Sequence, residues 1–136
     1  MTSSFNFTEN TNVSLTGVSN SSVTTADFDK DGDTDILLTG RDSSNNRISK
    51  IYSNNGSGGF SENTNVSLTG VSSSSVTTAD FDKDGDTDIL LTGFDSSGRI
   101  SKIYSNTLNP PTLSSFAGPV DTTNEDTEVE LTFDYV

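Results

Sequence analysis

Asp27-Phe28-Asp29-Lys30-Asp31-Gly32-Asp33-Thr34-Asp35 recurs without change as Asp80-Phe81-Asp82-Lys83-Asp84-Gly85-Asp86-Thr87-Asp88. Each stretch reads D-x-D-x-D-G-x-x-D. Its acids at positions 1, 3, 5 and 9 can meet at one centre only if the backbone turns sharply, and the Gly at position 6 permits that turn. Hard oxygen donors in this number suit Ca²⁺ better than Mg²⁺, which demands tighter octahedral geometry and keeps its waters. Without a cation, so dense a set of like charges would repel itself.

The flanks decide what carries the loop. An EF-hand needs a bidentate Glu at position 12, where this sequence has Leu38 and Leu91. Counting from Asp29 instead puts Thr34 where the turning Gly belongs. Val23-Thr24-Thr25-Ala26 before the loop and Ile36-Leu37-Leu38-Thr39 after it are short β-branched or apolar runs, which favour strands over helices. The unit is therefore strand, calcium loop, strand.

The loop lies within a longer repeat. Phe7 aligns with Phe60, Asp27 with Asp80 and Gly40 with Gly93, an offset of 53 positions. It falls to 52 where Asn45-Asn46 is replaced by Gly98, so that Tyr52 matches Tyr104. A one-residue deletion is tolerated best at a hairpin tip, and both versions have turn composition. Repeats of this length with four short strands are the sign of propeller blades. Strand A is expected at about 22–28, B at 35–39, C at 47–53 and D at 65–69, with Val66 and Leu68 on one face of D. A D-like stretch, Asn12-Val13-Ser14-Leu15-Thr16, also precedes the first A strand, and none follows the second C strand before Asn106.

The expected fold is all-β: two four-stranded propeller blades with calcium loops between strands A and B, assembling with other copies into a propeller. Residues 1–18 would supply an outer strand completing a blade of another copy. Residues 19–70 form the first blade, 71–106 strands A to C of the second, and 107–136 a linker and one isolated strand. Because the D strand sits at the wrong end of a two-blade arc, a homo-oligomer is expected. Three or four chains are favoured for a closed ring, and an open filament is the alternative.

Composition narrows function. Net charge is −13, and there is no His, Cys or Trp. Hydrophobic residues make up 29%, below the usual range even when Gly is added. Shared blade cores and bound metal offset that deficit; two Ca²⁺ would bring the charge to about −9. So acidic a chain has no basic patch for nucleic acid, and no apolar run is long enough for membrane insertion. Without His or Cys, the commonest general base and the strongest nucleophile are missing. The close acid pairs are accounted for by ligation, so the chain is expected not to be an enzyme. Met1-Thr2-Ser3-Ser4 reads as the start of an excised fragment, not as a secretory leader.

The stretch from Ala26 to Gly40, followed by Ile51-Tyr52-Ser53-Asn54-Asn55-Gly56-Ser57-Gly58-Gly59-Phe60, resembles the FG-GAP/VCBS repeat, which supplies blades of integrin-type and bacterial surface propellers. The resemblance implies side-chain ligation by Asp27, Asp29, Asp31 and Asp35, with Asp33 offering its carbonyl. It implies the same roles for Asp80, Asp82, Asp84, Asp88 and Asp86, and hence one Ca²⁺ per loop and two per chain. It further implies a secreted or cell-surface setting, bacterial in origin, and a non-catalytic structural or adhesive role. The segment Asn124-Glu125-Asp126-Thr127 is similar to the first strand of cadherin-like domains. The alternative function is a carbohydrate-binding propeller using Arg41, Phe94, Tyr52 and Tyr104 for a glycan or protein ligand; a polysaccharide-active enzyme fragment ranks below both.

Overall fold

A computed structural model describes residues 3–108 as an all-β chain of two antiparallel sheets. The first has the order β1 (Ser19–Ala26), β2 (Asp35–Arg41), β3 (Arg47–Asn54), β4 (Phe60–Glu62). The second has the order β5 (Ser72–Ala79), β6 (Asp88–Phe94), β7 (Arg99–Tyr104). Each sheet is a meander with sequential strands paired. The tail strand and the cadherin-like resemblance fall outside the described residues.

Strand β2 is apolar because it is covered on both faces: Leu37 is fully buried and Leu38 nearly so. Leu37 sits opposite Ile51 of β3. With Phe28 they form the face of the first sheet that packs on Val71, Ile89 and Leu91 of the second, and these six side chains are the core. Strand β1 lies beside β5. Between the sheets the hydroxyls of Thr39 and Ser74 bond at 2.7 Å, and Val76 N–H donates to Ser22 Oγ.

Both sheets carry the same irregularity at their start. The β1–β2 register shifts between Ser19 and Ser22, and the β5–β6 register between Ser72 and Ser75. Asn20 and Ser73 take φ of 47° and 45° there. The bulge presses on Gly40, where a Cβ would come within 2.7 Å of the Ser19 carbonyl and 2.8 Å of Ser21 Cβ.

The outer strand departs from expectation. It forms at Phe60–Glu62, pairing with Asn54, Ser53 and Tyr52, and not at 65–69. Asn63 N–H makes a last bond to the Ile51 carbonyl, and the Asn63 side chain then accepts from Asn65 N–H in an Asx turn. The chain leaves the sheet there and crosses to the next one. Leu68 packs on the core while Val66 is 41% exposed, so the apolar alternation marks a crossing segment. Thr69 ends it, bonding through N–H and Oγ1 to the Tyr104 hydroxyl.

Within this one chain residues 12–16 form no strand, and Thr16 N–H and Oγ1 reach the Tyr52 hydroxyl at 3.0 and 2.8 Å.

Candidate metal centres

Each acidic loop is clamped at its end by one carboxylate. Asp35 is 1% exposed, and its two oxygens accept from Phe28 N–H and Asn54 N–H, both at 2.9 Å. Asp88, fully buried, accepts in the same way from Phe81 N–H and Asn106 N–H. The clamp ties the end of strand β3 or β7 to the loop entrance. Asn54 adds a bond from Nδ2 to the Thr34 carbonyl. Asn106 instead reaches across to the Phe28 carbonyl of the first sheet, at 2.8 Å.

Within the loop, Asp27 Oδ2 accepts from Gly32 N–H, Asp29 Oδ1 from Asp31 N–H, and Asp31 Oδ1 from Asp33 N–H. These short-range bonds hold the tight coil. Gly32 has φ of 91°, as position 6 requires, and Lys30 is also left-handed at 61°. Gly85 and Lys83 repeat both values closely, at 91° and 63°.

The fold brings Asp27, Asp29 and Asp35 together, with one oxygen from each mutually within 4.8 Å. Asp80, Asp82 and Asp88 make the matching group. The carboxylates of Asp31, Asp33, Asp84 and Asp86 stand outside these groups. Asp84 mirrors Asp31 by accepting from Asp86 N–H. Asp86 is buried, paired with Lys30 of the first loop, and accepts from Leu108 N–H. That pairing, with the Leu108 bond, holds the Asp86 carboxyl below the usual range.

Three observations fit a hard divalent cation. Asp27 Oδ1 is buried without a hydrogen-bond partner. Neither ion pair found among the described residues involves Asp35 or Asp88, so these buried charges have no basic side chain opposite them. Loss of water pushes the Asp29 carboxyl up, with the charges of Asp35 and Asp31 adding to the rise. Asp82 is raised by the same causes, with Asp84 and Asp88 as its neighbours. A cation at either group would reverse that cost, because hydration lost by the acids would be replaced by direct ligation.

The clamping role of Asp35 and Asp88 and the Lys30–Asp86 pair were not read from sequence. Position 9 looks like any other ligand position there, and a pair spanning two repeats leaves no local spacing signal.

The proposed glycan-contact residues separate into two kinds. Tyr52 is 3% exposed, and both tyrosine hydroxyls are engaged by threonines, so they are packing residues. Phe94 remains 40% exposed with the Arg99 guanidinium 5.3 Å from its ring centre, and Arg41 bonds the Asn45 side chain and carbonyl.

Each sheet is an antiparallel meander whose first two strands are joined by a D-x-D-x-D-G-x-x-D loop, an arrangement that fits a blade of the β-propeller type. Residues 27–91 match the model of the FG-GAP-like repeat. The match runs from the first acid of one loop to Leu91, beyond the second loop. Neither the curated proteins nor the solved structures contain a match to the chain.

Proposed function

We propose that the chain is a non-catalytic, calcium-binding propeller module of a secreted or cell-surface protein, with a structural or adhesive role. The observation carrying this reading is the paired buried acids, Asp35 and Asp88, each set in a three-carboxylate group without a basic partner. Asp27, Asp29 and Asp35 would hold one Ca²⁺, and Asp80, Asp82 and Asp88 the second. Asp31 and Asp84 would join by a side-chain rotation from their present loop bonds, and Asp33 and Asp86 through their carbonyls. The ion supplies charge neutralisation and cross-links the two ends of the loop.

FG-GAP-like repeats occur in extracellular and surface proteins, where millimolar calcium fills weak sites. No helix among the described residues is long and apolar enough to cross a membrane. Among the described residues, the three-carboxylate groups lie in the two loops, where loop bonds and the proposed ligation account for them, which supports a module without catalysis.

Calorimetric titration of chelator-stripped protein with CaCl₂ tests the reading. Two ions per chain and a rise in melting temperature are expected, since the ion binds the folded loop and not the open chain. Identical melting in calcium and in excess EGTA would refute it.

A further inference from the structure

Asn54 and Asn106 end the same stretch, Ile-Tyr-Ser-Asn, in the two repeats, yet their side chains go to different loops. Asn54 Nδ2 donates to the Thr34 carbonyl, in the same loop whose Asp35 already accepts its N–H. Asn106 gives its N–H to Asp88 of the second loop and its Nδ2 to the Phe28 carbonyl of the first, both at 2.8 Å. One residue therefore holds both acidic loops.

The bond to Phe28 falls where it bears on the first carboxylate group. Phe28 stands between Asp27 and Asp29, so two peptide units link those acids. The N–H of the first unit is held by Asp35 from within the loop, and the carbonyl of the second by Asn106. The orientation of Asp29 relative to Asp27 thus depends on a side chain anchored at the other group. That anchor is doubled. Two residues beyond Asn106, Leu108 N–H donates to Asp86, which also pairs with Lys30, the residue after Asp29.

We propose that the two metal sites fill as a coupled pair, with Asn106 as the positioning residue that carries the order of the second site to the first. This rests on the calcium reading above and adds to it how the two sites regulate each other. Each loop is otherwise held by short-range bonds among its own acids and amides, which leave like charges facing one another. Neutralising the second group removes that repulsion, steadies Asp88 against Asn106 N–H, and so fixes the Phe28 carbonyl before the first site fills. Part of the ordering that the first site needs is then already in place, which raises its affinity. By linkage the first site raises the affinity of the second by the same factor. Repulsion between two bound cations has the opposite sign, but between exposed loops it is screened by salt.

Calcium titration of the full chain followed by NMR reads the sites separately, because Gly32 and Gly85 N–H each bond the first acid of their own loop. Asp82→Asn takes one acid from the second site and leaves the buried Asp88 clamp intact. Gly85 should then titrate only at much higher calcium. A coupling of about tenfold would raise the Gly32 midpoint about threefold in that variant, although its own loop is unchanged. Asn106→Ala keeps the backbone N–H that Asp88 holds and removes only the reaching amide. It should raise the Gly32 midpoint too, and adding Asp82→Asn should then leave Gly32 where Asn106→Ala alone puts it. Asn106→Ser lacks the same amide and serves as a second variant with the same expected result. Amides that ignore calcium in the wild type would overturn the calcium reading and this proposal with it. Amides that titrate, with Gly32 unmoved or shifted to lower calcium by Asp82→Asn, would overturn the coupling alone. A merely structural Asn106 would lower stability but leave the Asp82→Asn effect on Gly32 in full, and that result would overturn its positioning role.

Discussion

Asp29 and Asp35 belong to one carboxylate group yet should respond oppositely to loss of charge, and the contrast isolates the metal from the scaffold. Asp35→Asn keeps size but replaces one accepting oxygen with an NH₂. One of Phe28 N–H or Asn54 N–H then faces a donor in a site that is 1% exposed. Leaving such a buried group unsatisfied costs about 1–3 kcal/mol, and the charge assistance of the other bond is lost as well. For a domain of this size, about 2 kcal/mol corresponds to a melting temperature lower by on the order of 10 °C. That loss should appear in excess EGTA as well as in calcium. Asp29→Asn removes no buried clamp, since its Oδ1 accepts only from the Asp31 amide within the loop. In EGTA it removes a carboxylate whose ionisation is disfavoured by desolvation and by Asp35 and Asp31, so it should melt at the wild-type temperature or above. In calcium it should melt well below wild type. Differential scanning fluorimetry of the three proteins in both buffers reads all six values. If Asp29→Asn destabilises equally in EGTA and in calcium, the group is a structural hydrogen-bond cluster and the metal assignment fails.

Further outcomes follow from identical residues in unlike surroundings. Gly40→Ala forces a Cβ against the Ser19 carbonyl and a φ of 146°, so urea unfolding should show a loss of about 1–3 kcal/mol. Leu37→Ala removes a fully buried core side chain and should cost about 2–5 kcal/mol, whereas its repeat counterpart Leu90→Ala removes a half-buried one and should cost less. Asp42 is held below the usual carboxylate range by hydrogen bonds from the Asn46 side chain and backbone, with Ser44 N–H contributing. Its folded pKa is depressed, so the stability it contributes is present above about pH 3.9 and lost as pH falls through the folded value. An NMR titration of the Asp42 carboxyl that shows an ordinary midpoint would contradict this hairpin-tip bonding.

Much of the fold was legible because its determinants are local. The A, B and C strands are bounded by the acidic loop and by the Asp42–Asn46 turn, and these signals lie within a few residues of what they terminate. The observed β1, β2 and β3 differ from expectation by up to three residues at their ends. The fourth strand was misplaced because Val66 and Leu68 alternate as a strand does, while the segment is shaped by a non-local partner, the Tyr104 hydroxyl more than thirty residues away. Sequence has no period that marks a chain crossing between sheets. In the acidic loops, spacing brought the right residue types together but could not rank them. The unequal roles emerge only with burial: Asp35 clamps two backbone amides, Asp27 keeps one oxygen unpartnered, and Asp31 stays in a loop bond.

The ranking bears on why so acidic and polar a chain can hold a fold. Among the described residues, Leu37, Leu91 and Val71 are the large apolar side chains fully removed from solvent, and the fully buried set also includes Thr39, Asp35 and Asp88. A core of that size leaves a large share of the work to buried polar groups, which stabilise only when satisfied. Asp35 and Asp88 satisfy loop-end amides, but each then brings a buried negative charge to the centre of two others. A cation is the one partner able to neutralise all three without adding side-chain bulk to so small a blade. Metal binding and folding should therefore be coupled most strongly at position 9 of each loop. A double substitution of Asp35 and Asp88 to Asn should leave a chain that calcium no longer rescues.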